Sequence, residues 1–224
     1  MKLVALFSGG KDSVFAILKA KEEGHSVEKL ATAISENPDS YMFHTPNIGL
    51  TFMQSRCMGM QLVSKSSSGI KEKELEDLKV LLTGLGVEGV VCGAIASKYQ
   101  KKRVEKICKE LGLKLVAPLW GKEPEKLLRE MIDTGFEIMI TAVAADGFDE
   151  SWLGRVIDER CFNDLIELNK KHKINVCGEG GEFETLVLDC PLFSRKLEIT
   201  KAKKVWKENS GVYEIEDAKF VDKN

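Results

Sequence analysis

Apolar positions in the first part of the chain alternate between two textures. Short, nearly continuous apolar runs at Lys2 to Phe7, Glu28 to Ile34, Gly59 to Val63, Gly89 to Gly93 and Lys114 to Pro118 have the length and character of buried strands. Between and after them lie longer stretches where apolar residues recur every three or four positions, and these predict helices over Asp12 to Glu23, Asn47 to Met58, Lys71 to Leu85, Tyr99 to Leu111 and Pro124 to Thr134. Strand and helix in this alternation imply an α/β, Rossmann-like domain: a parallel sheet with helices on both faces. Ligands of such sheets bind beyond the carboxyl ends of the strands, so the residues after Phe7, Ile34 and Gly93 are expected to border one crevice.

After Thr134 the pattern changes. A strand at Ile138 to Ala144 is followed by helices near Glu150 to Val156 and Arg160 to Lys171, a glycine-acid segment at Gly178 to Glu184, and two alternating strand-like stretches, Lys196 to Glu208 and Gly211 to Phe220. The reading is a smaller α+β C-terminal domain closing over the first, with domains at 1–134 and 135–224 and no Pro/Ser-rich linker between them. The charged stretches Lys71 to Lys79 and Lys170 to Lys173 read as solvated helix faces.

Composition narrows the class. The chain has 224 residues, 43% of them apolar, enough for a substantial core. Its apolar runs fall far short of the ~20 residues a bilayer-spanning helix needs, and the N-terminus enters a strand without a signal-peptide pattern. The expectation is a cytoplasmic enzyme with no membrane contact. Six cysteines are scattered without a CxxC spacing, which argues against a zinc site or a disulfide framework. With 33 basic and 35 acidic residues the net charge is −2, so no direct nucleic-acid binding is expected and a protein or small-molecule partner is favoured.

Candidate chemistry concentrates first in Ser8-Gly9-Gly10-Lys11-Asp12-Ser13. A strand that breaks into two glycines and re-enters as a helix can aim several backbone N–H groups at one anion, with the partial positive charge of the helix N-terminus behind them. Ser8 and Ser13 supply hydroxyls, Lys11 a cation for phosphate oxygens, and Asp12 a helix cap or a magnesium ligand, all on a loop expected to be exposed. The spacing is not that of a GxxxxGK[ST] loop. It resembles the SGGxDS loop of the PP-loop ATP pyrophosphatases, an adenine nucleotide alpha-hydrolase-like family that splits ATP between its α and β phosphates. A plain glycine turn before a capped helix is the alternative. Ala33 and Gly93, at the ends of the second and fourth strands, are the further candidates for nucleotide contact.

Gly178-Glu179-Gly180-Gly181-Glu182-Phe183-Glu184-Thr185 is the second unusual segment, because its glycines admit close backbone approach and its carboxylates suit a metal or an organic cation. Taken alone it could equally be a tight loop with exposed acids. Ser97, Tyr99, Gln100 and Arg103 open the helix after the fourth strand, where Arg103 could grip a phosphate or carboxylate in bidentate fashion. Lys98, Lys102 and Lys106 share that helix as a stripe, most simply a solvated one. His44 lies in the long segment after the second strand, within Tyr41-Met42-Phe43-His44-Thr45-Pro46-Asn47.

These blocks, with Gly93 to Glu105, Pro118-Leu119-Trp120 and the run from Gly178 to Phe193, together resemble the diphthine-ammonia ligase family over nearly the whole chain. The resemblance implies amidation of diphthine, the modified histidine of elongation factor 2, using ATP, Mg2+ and ammonium and yielding diphthamide, AMP and pyrophosphate. Lys11 and Asp12 would serve catalysis, with Asp12 on the metal. Ser8, Gly9, Gly10, Ser13, Ala33 and Gly93 would hold ATP, and His44, Ser97, Tyr99, Gln100, Arg103, Glu179, Gly180, Gly181, Glu182 and Glu184 would hold the acceptor. The chemistry suits an acyl-adenylate displaced by free ammonia, since no amidotransferase domain is present. Diphthine carries a quaternary ammonium group, which Glu179, Glu182 or Glu184 with Phe183, Trp152 or Trp120 could receive. The implied partners are elongation factor 2 and ammonium, with a homodimer admitted as an assembly state. Two rivals stay open: another PP-loop ligase, including one acting on a tRNA base, and a non-catalytic nucleotide sensor. The lack of paired cysteines weakens sulfur transfer.

Overall fold

A computed structural model describes residues 1–35, 47–68 and 73–223. The chain divides into two compact units, Met1–Gly121 and Lys122–Asn224.

In the first unit β1 (Lys2–Leu6), α1 (Lys11–Glu22), β2 (Ser26–Ser35), α2 (Thr51–Met58), β3 (Gln61–Ser67), α3 (Lys73–Leu82), β4 (Gly89–Val91), α4 (Lys98–Leu111) and β5 (Lys114–Val116) follow one another. The five strands form one sheet in the order β3-β2-β1-β4-β5, every neighbouring pair parallel. Leu3, Val4 and Ala5 of the central strand are fully buried, as a strand covered on both faces requires. Val4, Ala31, Ala33 and Val90 pack with Leu78, Leu81 and Leu82 of α3 and with Val104, Ile107 and Cys108 of α4. Leu3 and Ala5 point to the opposite face by the two-residue period of a strand. There α1, which packs on β1, β2 and β4, buries Val14, Phe15, Ala16, Ile17 and Ala20. The α/β reading, with helices on both faces of a parallel sheet, therefore holds. β3 runs four residues beyond its predicted end at Val63, because Ser64 to Ser67 continue the pairing with β2 up to Ser35↔Ser67. The chain lays down β2 and β3 on one side of β1 and then crosses to place β4 and β5 on the other. The loops after β1 and β4 thus flank the point where the winding reverses.

In the second unit α5 (Pro124–Asp133), β6 (Glu137–Val143), α6 (Glu159–His172), β7 (Phe183–Asp189), β8 (Arg195–Lys207) and β9 (Ser210–Asp222) build an antiparallel sheet in the order β7-β6-β9-β8 with its helices. The division between units precedes α5, whereas the sequence reading placed it after this helix. The reason lies in its partners: Arg129 pairs with Glu159 and stacks on Phe162, and the Pro124 carbonyl accepts from the Cys177 thiol at 3.1 Å, all within the second unit. The helix predicted over Glu150 to Val156 is a single 3₁₀ turn, Glu150–Trp152. Beyond it the backbone runs beside β6, with Gly154 N–H donating to the Ile140 carbonyl, Ile140 N–H to Arg155 and Ile157 N–H to Ile138. β7 is a strand that the alternation of apolar positions does not predict. Its buried run Leu186-Val187-Leu188 follows directly on the glycine-acid segment, and Glu184 and Thr185 already belong to the strand.

No helix among the described residues is long and apolar enough to cross a membrane. All six cysteines are free and buried. Burial pushes the Cys108 thiol up to about 11 and those of Cys161 and Cys190 to about 12. Because the thiolate is the reactive form, iodoacetamide at pH 8 is expected to leave these three untouched in the folded protein and to alkylate them fully in guanidinium chloride. Peptide mass mapping checks this, and rapid labelling of folded Cys161 would contradict the burial described.

Candidate functional site

The ladder of β1 continues one step past its end, with Phe7 N–H donating to the Ala31 carbonyl at 2.9 Å, and the chain then turns through Ser8, Gly9 and Gly10 into α1. Gly10 is the N-cap and offers no side chain for capping. The work falls to two hydroxyls. Ser13 Oγ donates to the Gly10 carbonyl at 2.9 Å and accepts from Ser8 N–H at 3.3 Å, and it lies 3.3 Å from Ser8 Oγ. Ser8 Oγ in turn lies 3.4 Å from Gly10 N.

The loop is also pressed from outside. Gly9 sits at φ +80, where L side chains are strained, and a Cβ there would stand 2.2 Å from Gln54 Oε1 of α2. A Cβ on Gly93 would stand 2.8 Å from the Asp12 backbone C and O and 2.9 Å from Ser13 N. The predicted neighbourhood of the Ser8 to Ser13 loop and the segment after β4 is therefore real, and Gly93 is the residue on which the two backbones meet. Ala33 lies near the carboxyl end of β2, next to Thr32, whose Oγ1 donates to the Phe7 carbonyl at 2.7 Å, and it packs in the apolar cluster with α3 and α4.

Lys11 departs from expectation. It is the first residue of α1 and only 2% exposed, so it does not stand on an exposed loop. Its Nζ lies 2.8 Å from Asp12 Oδ2, and the Asp12 side chain is 28% exposed.

Past Gly93, Ser97 caps α4, its Oγ accepting from Gln100 N–H at 3.3 Å. The Arg103 guanidinium lies 3.6 Å from the centre of the Tyr99 ring, and both residues are half-buried. Lys98, Lys102 and Lys106 are exposed. His44 and the rest of residues 41–46 lie outside the described residues.

In the second unit the Gly178 to Glu184 segment is organised by one of its own acids. Glu182 Oε1 accepts from Asn175 N–H at 2.7 Å and Oε2 from Gly180 N–H at 2.8 Å, while the Glu182 carbonyl accepts from Ala144 N–H. Glu179 and Glu184 are half-buried, and Gly180 and Gly181 are exposed. The aromatic receivers considered for a cation are already engaged. Phe183 is 3% exposed and packs on Phe148, Trp152 meets Phe148 edge to face and lies under Arg155, and Trp120 has Lys101 Nζ 4.2 Å from its ring centre.

Sequence reasoning missed Gln54. Its Nε2 donates to the Gly9 carbonyl at 2.9 Å, and the residue is fully buried. The available signal was a glutamine on the same helix face as Thr51, Ser55 and Cys57, where burial calls for a partner.

Two family models match the chain, described as diphthamide synthase N-terminal domain over residues 1–115 and diphthamide synthase C-terminal domain over residues 123–221. Among curated proteins it is 38% identical to the diphthine-ammonia ligase of Schizosaccharomyces pombe, over 94% of this chain and 38% of that protein. It is 38% identical to the ligase of Rattus norvegicus, over 92% of this chain and 85% of the other, and 39% identical to that of Homo sapiens, over 88% and 82%. The chain thus spans well under half of the fission yeast relative and most of the two mammalian ones. The crystal structure of a predicted subunit of tRNA methyltransferase from Methanocaldococcus jannaschii is similar with a TM-score of 0.47 and 15% identity, over 85% of this chain and 98% of that one.

The contact at Gly93 is testable by its methyl group. Gly93→Ala is expected to cost about 1–3 kcal/mol, lowering Tm by roughly 3 to 10 °C in calorimetry. Gly49→Ala, whose Cβ would meet nothing within 4 Å, is expected to leave Tm within about 1 °C.

Proposed function

The chain belongs to the diphthamide synthase family, and on that basis we propose that it joins ammonium to the carboxylate of diphthine on elongation factor 2 in the cytoplasm. ATP is consumed and diphthamide, AMP and pyrophosphate are released. Matches over both units and the names of the curated relatives support this reading. The observation that carries it is the position of the Ser8 to Ser13 loop at the winding reversal of the parallel sheet, backed directly by Gly93.

The first turn of α1 supplies backbone N–H groups that have no acceptor within the helix, and the helix dipole adds to their field. With Lys11 and the Ser8 and Ser13 hydroxyls they form a cradle for the β and γ phosphates. Asp12 suits magnesium, since it offers a hard carboxylate oxygen, partly exposed, in the same turn as the phosphate donors. Magnesium bound there would neutralise phosphate charge. In the proposed first step an oxygen of the diphthine carboxylate attacks the α-phosphorus. The bond from that phosphorus to the bridging oxygen breaks, and pyrophosphate leaves with the electron pair. In the second step ammonia, formed when ammonium yields a proton to solvent, attacks the acyl carbon, the bond from that carbon to the AMP oxygen breaks and AMP departs with its electron pair, and the new nitrogen gives up a further proton to solvent to leave the amide. The chain's contribution to the first step is electrostatic: Lys11 and the loop amides meet the charge growing on the leaving oxygen. No side-chain nucleophile takes part. Arg103, held against Tyr99, is assigned to the acceptor carboxylate. Of the three acids in the second unit, Glu182 is assigned to holding its own loop.

The test is a product assay with ATP, magnesium and ammonium, with and without diphthine-bearing elongation factor 2. AMP and pyrophosphate are expected in step with the factor, whereas ADP, or AMP made equally without the factor, would sink the proposal. Lys11→Met and Asp12→Asn, which keep side-chain size, are expected to lower kcat by about 100-fold or more with circular dichroism unchanged.

A further inference from the structure

We propose that Gln54 is a positioning residue for the nucleotide: its side-chain amide holds the Gly9–Gly10 peptide in the orientation that turns Gly10 N–H toward the phosphates. The inference rests on the reading of the Ser8 to Ser13 loop as the phosphate cradle. Gln54 comes from α2, a different βα unit, and is 0% exposed. Its Nε2 donates to the Gly9 carbonyl at 2.9 Å. In a planar trans peptide the carbonyl and the following N–H point in opposite directions, so holding the oxygen of Gly9 also aims the N–H of Gly10. In this structure that N–H donates to Ser8 Oγ across a long 3.4 Å, the bond that a phosphate oxygen would take over.

Such a clamp answers a specific weakness of the loop. Neither Gly9 nor Gly10 has a side chain, and a peptide between two glycines can rotate between orientations at little steric cost. The alternative orientation would present a carbonyl oxygen to a phosphate. Thr51 and Ser55, also buried in α2, donate to the Ile48 and Phe52 carbonyls of their own turns, while Gln54 reaches across to the loop. Burying a primary amide there in place of an apolar side chain is unfavourable unless it is hydrogen-bonded, and the Gly9 carbonyl provides one such bond. The same packing explains why position 9 admits no Cβ: the methyl would occupy the space of the Gln54 amide oxygen.

The test uses Gln54→Met, which keeps the shape and removes the donor. Calorimetric titration with α,β-methylene ATP, which cannot be cleaved between the α and β phosphates, is expected to show a dissociation constant raised about tenfold, and steady-state kinetics a raised KM for ATP with KM for ammonium unchanged. A merely structural glutamine would lower Tm and leave both constants alone. Relaxation dispersion at the Gly10 amide, expected to be quiet in the wild type and to show exchange in the variant, reports the clamp without any nucleotide. A folded Gln54→Met protein with wild-type affinity and a quiet Gly10 amide would falsify the proposal. Should the variant not fold, titration of the wild type decides, since an unmoved Gly10 amide under saturating analogue overturns the aimed N–H. A wild-type protein that binds no analogue overturns the phosphate reading instead, and exchange at Gly10 in the variant would still show the clamp.

Discussion

Two backbones meet at the winding reversal of the sheet, and the geometry of the candidate site depends on how closely they approach. The start of α1 and the segment after β4 come together at Gly93 with no room for a methyl group. This contact sets the height of the α1 N-terminus above the strand ends, and with it the place where unsatisfied backbone donors emerge. A parallel sheet supplies the crevice by topology alone. The glycine decides how deep the helix start sits in it.

Depth has an electrostatic consequence. Lys11, the first residue of α1, is enclosed, and its charge sits where water is sparse, beside the helix N-terminus and in contact with Asp12. A cation in such surroundings interacts with a nearby anion more strongly than one in bulk water. It is also held before any ligand arrives, so the ordering cost falls on folding and little reorganisation is left for the reaction. Enclosure costs desolvation, and Asp12 at the rim offsets it.

The parts legible in the sequence are those in which local pattern and final structure agree. β1, the loop and α1 could be read because a buried apolar run, a glycine pair and a helical repeat follow one another within a short stretch. The α/β class followed from the same alternation. Tertiary partners decided the rest. α5 has the repeat of another crossover helix, yet Arg129 and the Pro124 carbonyl bind residues far along the chain. Residues 153–156, at the end of the helix expected over Glu150 to Val156, instead run alongside β6. β7 was hidden because the glycines and acids before it drew the reading toward a loop. Gln54 carries no motif at all; only the fold brings it to Gly9.

A motif also does not say whether a polar group faces a ligand or holds the loop that does. The structure sorts several of them. Ser13 closes its own turn onto Ser8 and Gly10, Ser97 caps α4, and Glu182 binds Asn175 and Gly180 within its own segment. Gln54 performs the same kind of work from a neighbouring helix. In each case a side chain bonds to backbone groups of an irregular segment or of a helix start. Irregular backbone rich in glycine suits close approach to a ligand, but by itself it is loose. Polar side chains that bond to the main chain remove that looseness without filling the space a Cβ would take. This division explains why serines, glutamate and glutamine gather around the glycines in both unusual segments, and why Lys11 and Asp12, bonded through side chains to each other, stand apart as the pair assigned to charge.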